Sequence, residues 1–194
     1  MKEYEVRRTG SELPVLEIGE HLWLEPAPVR AFAQMSYDDE ALRVTLWAQE
    51  PNIRAEENGP LGFPCLDSCL EFFFSPMEGD SRYFNIEVNP NGCVYLGFGI
   101  DRYLLVRLLP EEFDPLKIET ERTPDGWRAH YQVPYSFIRH FFPEFRAEPG
   151  KTMRANFYKC GDKTVQPHFI SWNRVDQEQP DFHVPQHFGL LRLK

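Results

Sequence analysis

The sequence predicts an all-β protein: an antiparallel β-sandwich, jelly-roll or immunoglobulin-like, with one short helix. Several segments alternate apolar and polar residues with a period of two, and clusters of Gly, Pro, Asn and Asp separate them at short intervals. Aromatic residues, which favour strands, make up 14% of the chain. The 17 prolines fall mostly between these segments, as expected if the segments pair into sheets.

The strand pattern is clearest at residues 83–89. There Phe84, Ile86 and Val88 are expected to face a core, while the alternate residues face the other way. The Asn-Pro-Asn-Gly sequence that follows predicts a hairpin turn. The other segments with a strand pattern are 42–49, 69–74, 93–98, 127–133, 153–158 and 190–193.

A single short helix is predicted from Ser136 to Phe142, between Pro134 and Pro143. Two long loops are predicted, at residues 49–67 and 161–187. Long loops on a rigid sheet are where binding groups usually lie. No repeat or linker divides the chain, and single β-domains commonly reach about 200 residues. The whole chain, residues 1–194, is therefore expected to form a single domain.

The net charge of −9 argues against nucleic acid and acidic membranes as partners, because both attract clustered Lys and Arg. The first ten residues lack the apolar region of a secretory signal, and no run of about 18 apolar residues follows. We therefore expect a cytoplasmic protein. A secreted protein from which the signal had been removed would have the same sequence pattern, so secretion remains the alternative.

The usual catalytic motifs are absent from the sequence: it contains no G-x-S-x-G, H-E-x-x-H or Walker A pattern. His183 and His187 are four residues apart, but Pro185 prevents the helix that would direct both at one metal ion. The acidic turn at 38–40 offers oxygen ligands for calcium, although a solvated turn explains it as well.

Four cysteines, Cys65, Cys69, Cys93 and Cys160, show no C-x-x-C spacing. Three of them lie in apolar, strand-like segments, where free Cys behaves as a small hydrophobic residue. We expect all four to be reduced, with the thiol of Cys65 accessible because it lies in a loop.

A carboxylate interrupts the apolar strand 69–74 at Glu71, where it needs a partner to offset desolvation. If this strand pairs with 83–89, Glu71 shares a face with Glu87. Arg154 and Tyr158 would extend that face, giving donors and acceptors suited to sugar hydroxyls. The alternation by itself favours a simpler interpretation, a solvated outer face of the sheet.

Several segments in order resemble one known family. They are DSCLEFFF at 67–74, YFNIEVNPNG at 83–92, GWRAHYQVP at 126–134, NFYKCG at 156–161, and HFISW followed by PDFHVPQHFGLLRL towards the end. Together they resemble the family 9 carbohydrate-binding modules, in particular family 9-like domains of bacterial proteins. The resemblance covers most of the chain and implies a β-sandwich related to the DOMON superfamily.

The resemblance also implies a sugar site. In the family, two Trp rings hold the sugar and polar side chains bind its hydroxyls, while calcium ions brace the loops, which makes calcium a candidate cofactor. Here one ring position matches Phe182 and the other is occupied by Cys65. The family's acidic position matches Glu71, its hydrogen-bonding position falls nearest to Glu87, and Trp172 lies in a shared segment. The loop position of Phe182 predicts a small contribution to stability.

We therefore expect a non-catalytic domain that binds a glucose- or xylose-type saccharide. The proposed ligand-binding residues are Cys65, Glu71, Glu87, Arg154, Tyr158, Trp172 and Phe182. One alternative is an interaction or scaffold domain that has lost the sugar site, as the replacement of Trp by Cys65 suggests. Another is a glycosidase built on Glu71 and Glu87. A haem-binding domain of the same superfamily would require a facing Met and His.

Overall fold

The computed structural model describes residues 1–109 and 114–194, which are almost entirely β-structure. Their fourteen strands are β1 Glu3–Arg8, β2 Leu16–Ile18, β3 Glu20–His21, β4 Arg30–Tyr37, β5 Ala41–Gln49, β6 Cys69–Ser75, β7 Tyr83–Val88, β8 Val94–Gly99, β9 Leu105–Arg107, β10 Glu119–Thr123, β11 Gly126–Pro134, β12 Thr152–Cys160, β13 Phe169–Ser171 and β14 Gly189–Leu193. The α-helix α1 spans Tyr135–Phe141, and short 3-10 helices lie at Pro64–Leu66 and Pro185–His187.

The all-β class and the short helix are thus confirmed, with the helix beginning one residue earlier than predicted. The single-domain prediction for residues 1–194 stays a prediction. In the part of the chain that the structure describes, no helix is long and apolar enough to cross a membrane.

The strands form one sheet that curls on itself. Its hydrogen-bonded order is β10-β11-β5-β4-β1-β14-β12-β6-β7-β8-β9, with β2 added to β4 and β13 to β12. Among the described strands, the predicted antiparallel pairing is found everywhere except at β1, which runs parallel to both of its neighbours. Its first half pairs with β14, with Glu3 opposite Leu190, and its second half pairs with β4, with Arg7 opposite Ser36. A local strand pattern does not reveal such a pairing between distant segments.

The main core fills the space between the two halves of the curled sheet. The predicted inward positions of β5 and β7 are confirmed, since these side chains are at most 1% exposed. They are Leu42, Val44, Leu46, Ala48, Phe84, Ile86 and Val88. From β6, Phe72 stacks on Phe74 and on Phe157 of β12, with ring centroids 4.8 and 4.9 Å apart.

The opposite face of β6, β7 and β12 is also buried. A second cluster of buried side chains forms there, between the sheet and the segment 161–188. Nearly all of that segment was predicted as a loop, and β13 is its one regular strand. Phe73, Tyr83 and Tyr158 are each fully buried in it. The expectation of a solvated outer face is therefore wrong, because a long segment that carries no strong strand pattern folds back across it.

Candidate functional site

A cavity of about 310 Å³ opens on this covered face, a size typical of the smaller ligand pockets. Its floor is made by β6, β7, β8 and β12, and its walls come from the segments beside them. The lining residues are Trp23, Phe63, Cys65, Glu71, Glu87, Tyr95, Arg102, Leu105, Cys160, Asp162, Phe169, Pro180, Asp181, Phe182 and His183.

Four side chains form a row across the floor. Glu71 lies opposite Glu87 on one side and opposite Tyr158 on the other, and Glu87 lies opposite Tyr95. Directly opposed residues in paired strands project to the same face, so the two carboxyl groups lie side by side between two tyrosines. The predicted sharing of a face by Glu71 and Glu87 is confirmed.

Phe182 forms one wall of the cavity by lying on Tyr158. The two rings stack with centroids 4.1 Å apart and planes inclined by 14°. The Tyr158 hydroxyl donates a hydrogen bond to the Phe182 carbonyl at 3.1 Å. Tyr158 therefore supports the wall from below, and only 8% of Phe182 is exposed. The expectation that Phe182 contributes little to stability does not fit this packing.

Trp23 extends the same wall and was missed in the sequence. Its ring lies 5.6 Å from the rings of both Phe182 and Phe169. Its indole Nε1 donates to the carbonyl of Gln177 at 2.7 Å. The backbone of Trp23 adopts a φ of 59°, which is uncommon for a bulky residue. Such a conformation persists only where the surroundings hold it, as in ligand sites.

Tyr95 stands at the other end of the row, held by Arg107. The guanidinium carbon of Arg107 lies 4.4 Å from the centroid of the Tyr95 ring and 5.6 Å from that of Phe63. Arg107 also donates to the carbonyl of Gly62 at 2.6 Å. These contacts fix an aromatic and cationic group on the side of the floor away from Phe182.

Burial controls the charge of the two floor carboxyl groups. Desolvation raises the pKa of Glu71 to about 7, although a hydrogen bond from the Cys160 thiol at 3.0 Å opposes the shift. Desolvation and the nearby Glu71 raise the pKa of Glu87 well above its usual range. Asn85 donates to Glu87 at 2.8 Å. Near neutral pH the pair can therefore both donate and accept hydrogen bonds.

The rim of the cavity carries an ion pair and a neutral histidine. Arg102 contacts Asp181 at 3.1 Å. His183 lies against Phe73 with ring centroids 5.0 Å apart, and its Nδ1 is 2.9 Å from the Tyr83 hydroxyl. Desolvation, with a smaller effect of Arg102, lowers the pKa of His183 to about 4. Its imidazole is therefore uncharged at neutral pH.

Asp67, in the D-S sequence before β6, holds a loop and does not reach the cavity. Its carboxylate accepts hydrogen bonds from the backbone N–H groups of Glu56 and Glu57 at 2.9 and 2.8 Å, and from Asn89 at 2.8 Å. It also forms an ion pair with Arg54. Protein groups thus brace the loop that leads to Cys65.

The carboxylates of the described residues do not gather into a set that would mark the calcium implied by the resemblance. Calcium takes six to eight oxygen ligands, yet within residues 1–109 and 114–194 no three carboxylates come together as a set. In the acidic turn, Asp38 accepts from Arg43 at 2.8 Å and Asp39 from Arg8 at 2.6 Å. These two carboxylates of the turn are therefore paired with arginine side chains.

The structure brings together four of the seven predicted site residues, Cys65, Glu71, Glu87 and Phe182, which all line the cavity. The other three lie outside the lining. Tyr158 supports Phe182 from below. Arg154 donates to the Phe188 carbonyl at 2.6 Å. Trp172 is 4% exposed in the main core, 5.8 Å from the ring of Phe157.

All four cysteines are free. Cys69, Cys93 and Cys160 are buried, and Cys65 is half-buried where it lines the cavity. Desolvation, followed by the nearby Glu87, raises the pKa of Cys65. Its thiol is therefore accessible from the cavity but protonated at neutral pH, which lowers its reactivity.

Comparison with known proteins agrees with this geometry. The model of carbohydrate-binding family 9 matches residues 10–193. No curated protein matches the chain. A candidate carbohydrate-binding protein from Bacteroides uniformis has a similar crystal structure, with 27% identity and a TM-score of 0.83 over 100% of this chain and 99% of that chain.

Two structures of a family 9 module from Caldicellulosiruptor kristjanssonii share the fold. The glucose complex has a TM-score of 0.70 at 14% identity, over 100% of this chain and 96% of that one. The cellotriose complex has a TM-score of 0.65 at 16% identity, over 100% and 94%. Because the family model spans nearly the whole chain, this protein belongs to carbohydrate-binding family 9.

Proposed function

We propose that the protein binds a glucose- or xylose-type saccharide without catalysis, in the cavity above Glu71 and Glu87. The observation that carries this proposal is the row across the floor, in which two carboxyl groups lie between the Tyr95 ring and the Phe182 stack on Tyr158. Family membership and the glucose and cellotriose complexes of the related module support the same ligand class.

The spacing of the row suits a single sugar ring. Neighbouring strands lie about 4.8 Å apart, so Tyr95 and Tyr158 are separated by three spacings, or about 14 Å. Because Phe182 covers Tyr158, a pyranose above the two carboxyl groups would present apolar C–H surface to the rings of Tyr95 and Phe182. Its hydroxyls would face Glu71 and Glu87. Since Glu71 titrates near pH 7, its carboxyl group can match either a donor or an acceptor hydroxyl.

Family membership, and not the carboxyl pair of Glu71 and Glu87, favours binding over hydrolysis. Directly opposed side chains on neighbouring strands lie about 5 Å apart, and the two carboxyl groups of a retaining glycosidase lie about 5–5.5 Å apart. The pair therefore fits either use, and we assign it to adjacent hydroxyls of one sugar because the matched family binds carbohydrate.

Calorimetric titration with glucose, xylose, cellobiose and cellotriose tests the proposal. We expect saturable binding of at least one of them, weakened about tenfold or more by Tyr95→Ala or Trp23→Ala through loss of an aromatic contact. Trp47→Ala is the matched control, because Trp47 stacks on Phe32 on the other half of the sheet and does not line the cavity. Absence of binding to all four sugars would support the scaffold alternative instead.

A second measurement separates binding from catalysis. The protein is incubated with cellobiose and with aryl glucosides and xylosides, and released monosaccharide is followed over hours. We expect no release above that of a Glu71→Gln, Glu87→Gln double variant. Release by the wild type that the double variant lacks would establish the glycosidase alternative.

A further inference from the structure

Two thiols lie beside Glu71 at the floor of the cavity, and saccharide binding leaves them unexplained. One sulfur each from Cys69 and Cys160 and one oxygen from Glu71 all lie within 4.8 Å of one another. The Cys160 sulfur is 3.0 Å from Oε1 of Glu71. All three side chains are at most 2% exposed.

The strand register explains this proximity. Cys160 on β12 lies directly opposite Cys69 on β6, and Glu71 is two residues further along β6 on the same face. Because side chains alternate along a strand, residues two apart project to the same side. The backbone therefore fixes the group, and a rotation of side chains is enough to change the distances between its atoms.

The ligand types and spacing match a thiophilic metal ion. Zinc binds thiolate sulfur at about 2.3 Å and carboxylate oxygen at about 2.0–2.2 Å in a tetrahedron, so its ligand atoms lie about 3.5–3.8 Å apart. No pair in the group is more than 4.8 Å apart, and the Cys160–Glu71 pair is 3.0 Å apart, so each distance has to change by about 1.3 Å at most to reach that spacing. Calcium and magnesium prefer oxygen ligands and do not suit two sulfurs.

We propose that Cys69, Cys160 and Glu71 form a binding site for a thiophilic divalent cation such as Zn²⁺, with the fourth position open to the cavity. Glu71 and Cys160 line the cavity, which provides a path for the ion. Cys65 also lines the cavity and is a candidate for the fourth ligand. The site requires no saccharide, so it stands independently of the proposed function.

The surrounding charges are compatible with a cation. Without a metal the group is protonated: contact with Cys69 and burial raise the pKa of Cys160, and burial raises that of Cys69 to about 12. On binding, the two thiol protons and any proton on Glu71 pass to solvent, leaving two thiolates and one carboxylate around the ion. The carboxyl group of Asp162, which lines the same cavity, adds negative potential at the floor.

Titration of the reduced protein with Zn²⁺ and Co²⁺ tests this site directly. We expect one ion per chain, proton release that depends on the buffer, and a thiolate-to-Co²⁺ charge-transfer band. Cys69→Ser and Cys160→Ser should each lower the association constant at least about tenfold and weaken that band. Cys93→Ser is the matched control, since Cys93 is a buried free thiol outside this cavity, and it should bind like the wild type.

Further variants keep the test decisive if a serine variant is unstable. Glu71→Gln should retain the charge-transfer band while binding more weakly, because both thiolates remain. Trp23→Ala should bind Zn²⁺ like the wild type even if it loses saccharide binding, which separates this site from the proposed function. A wild-type protein without a thiolate-to-Co²⁺ band, or an equal loss in Cys93→Ser, would overturn the proposal.

Discussion

The two faces of β6, β7 and β12 are buried equally but differ in chemistry. On the inner face Phe72, Ile86 and Phe157 are fully buried against the other half of the sheet. On the outer face their immediate neighbours Glu71, Glu87 and Tyr158 are at most 7% exposed beneath the segment 161–188. The same three strands thus carry a continuous apolar core on one side, and on the other a layer of aromatic and polar side chains that contains the cavity.

This difference between the inner and the outer face shows that the segment packed on a sheet face determines which side chains can be buried there. The other half of the sheet presents mainly apolar side chains to the inner face, whereas the segment 161–188 offers backbone N–H and C=O groups to the outer face. Asn156 illustrates this: it donates to the carbonyl of Asn173 at 2.9 Å and accepts from the Asn173 N–H at 2.8 Å. Polar groups can therefore be buried on the outer face without losing their hydrogen bonds.

The largest effect should come from the inner face. Phe72→Ala removes a ring stacked on Phe74 and Phe157, so we expect the free energy of unfolding to fall by about 3–5 kcal/mol in urea titration. Tyr103→Ala, at a side chain 89% exposed, should change it by less than about 0.5 kcal/mol. A loss below about 1 kcal/mol in Phe72→Ala would contradict the distinction between the two faces.

On the outer face, His183 should make the free energy of unfolding depend on pH. Its pKa is about 4 in the folded protein and about 6.5 when unfolded, so the unfolded chain binds more protons between these values. Stability is therefore lost as the pH falls from 6.5 to 4. We expect His183→Gln to reduce the loss between pH 7 and 4.5 by about 2 kcal/mol.

Urea titrations at a series of pH values measure this effect of His183. His130→Gln, at an exposed histidine of β11, serves as the control and should leave the acid dependence as it is in the wild type. Equal slopes in wild type and His183→Gln would show that the imidazole is protonated in the folded protein.

Phe182 belongs to both the packing and the cavity, so its removal should affect two measurements. Phe182→Ala loses the stack on Tyr158 and should lower the free energy of unfolding by about 1–2 kcal/mol. It should also weaken saccharide binding about tenfold, by loss of an aromatic contact. Unfolding and calorimetry on the same preparation measure both. Reduced stability with unchanged binding would assign Phe182 to packing alone.

The smallest effect is expected for a gain of contact at Cys65. Cys65→Trp would add a ring beside the floor, and an aromatic contact of about 0.5–1.5 kcal/mol should tighten glucose or cellobiose binding by up to about tenfold. Cys65→Ser is the control and should bind like the wild type. Weaker binding by Cys65→Trp would show that Trp23 and Tyr95 already leave no room for a further ring.

The sequence predicted those parts of the fold that depend on local alternation. The inward residues of β5 and β7 followed from a period of two, and the pairing of Glu71 with Glu87 followed from the same parity. Tyr95 could have been predicted as a site residue, because it lies in the predicted return strand 93–98 opposite Glu87. Continuing the parity argument by one strand would have identified it.

Features that depend on distant contacts were missed. Trp23 reaches the cavity because β3 pairs with β13 and Leu22 donates to the Phe169 carbonyl at 2.9 Å. Nothing in the residues around Trp23 indicates that pairing. The burial of the outer face depends in the same way on where the segment 161–188 folds. Local periodicity carries no information about either contact.

The parallel pairing of β1 has a consequence for the order of folding. Residues 3–6 lie beside residues 190–193 and join the two halves of the sheet. During synthesis this strand stays unpaired on that side until residues 190–193 have left the ribosome. Contacts of such long sequence separation slow folding and expose strand edges in the meantime. We therefore expect a slow folder in which closure of the sheet by β1 and β14 is among the late events.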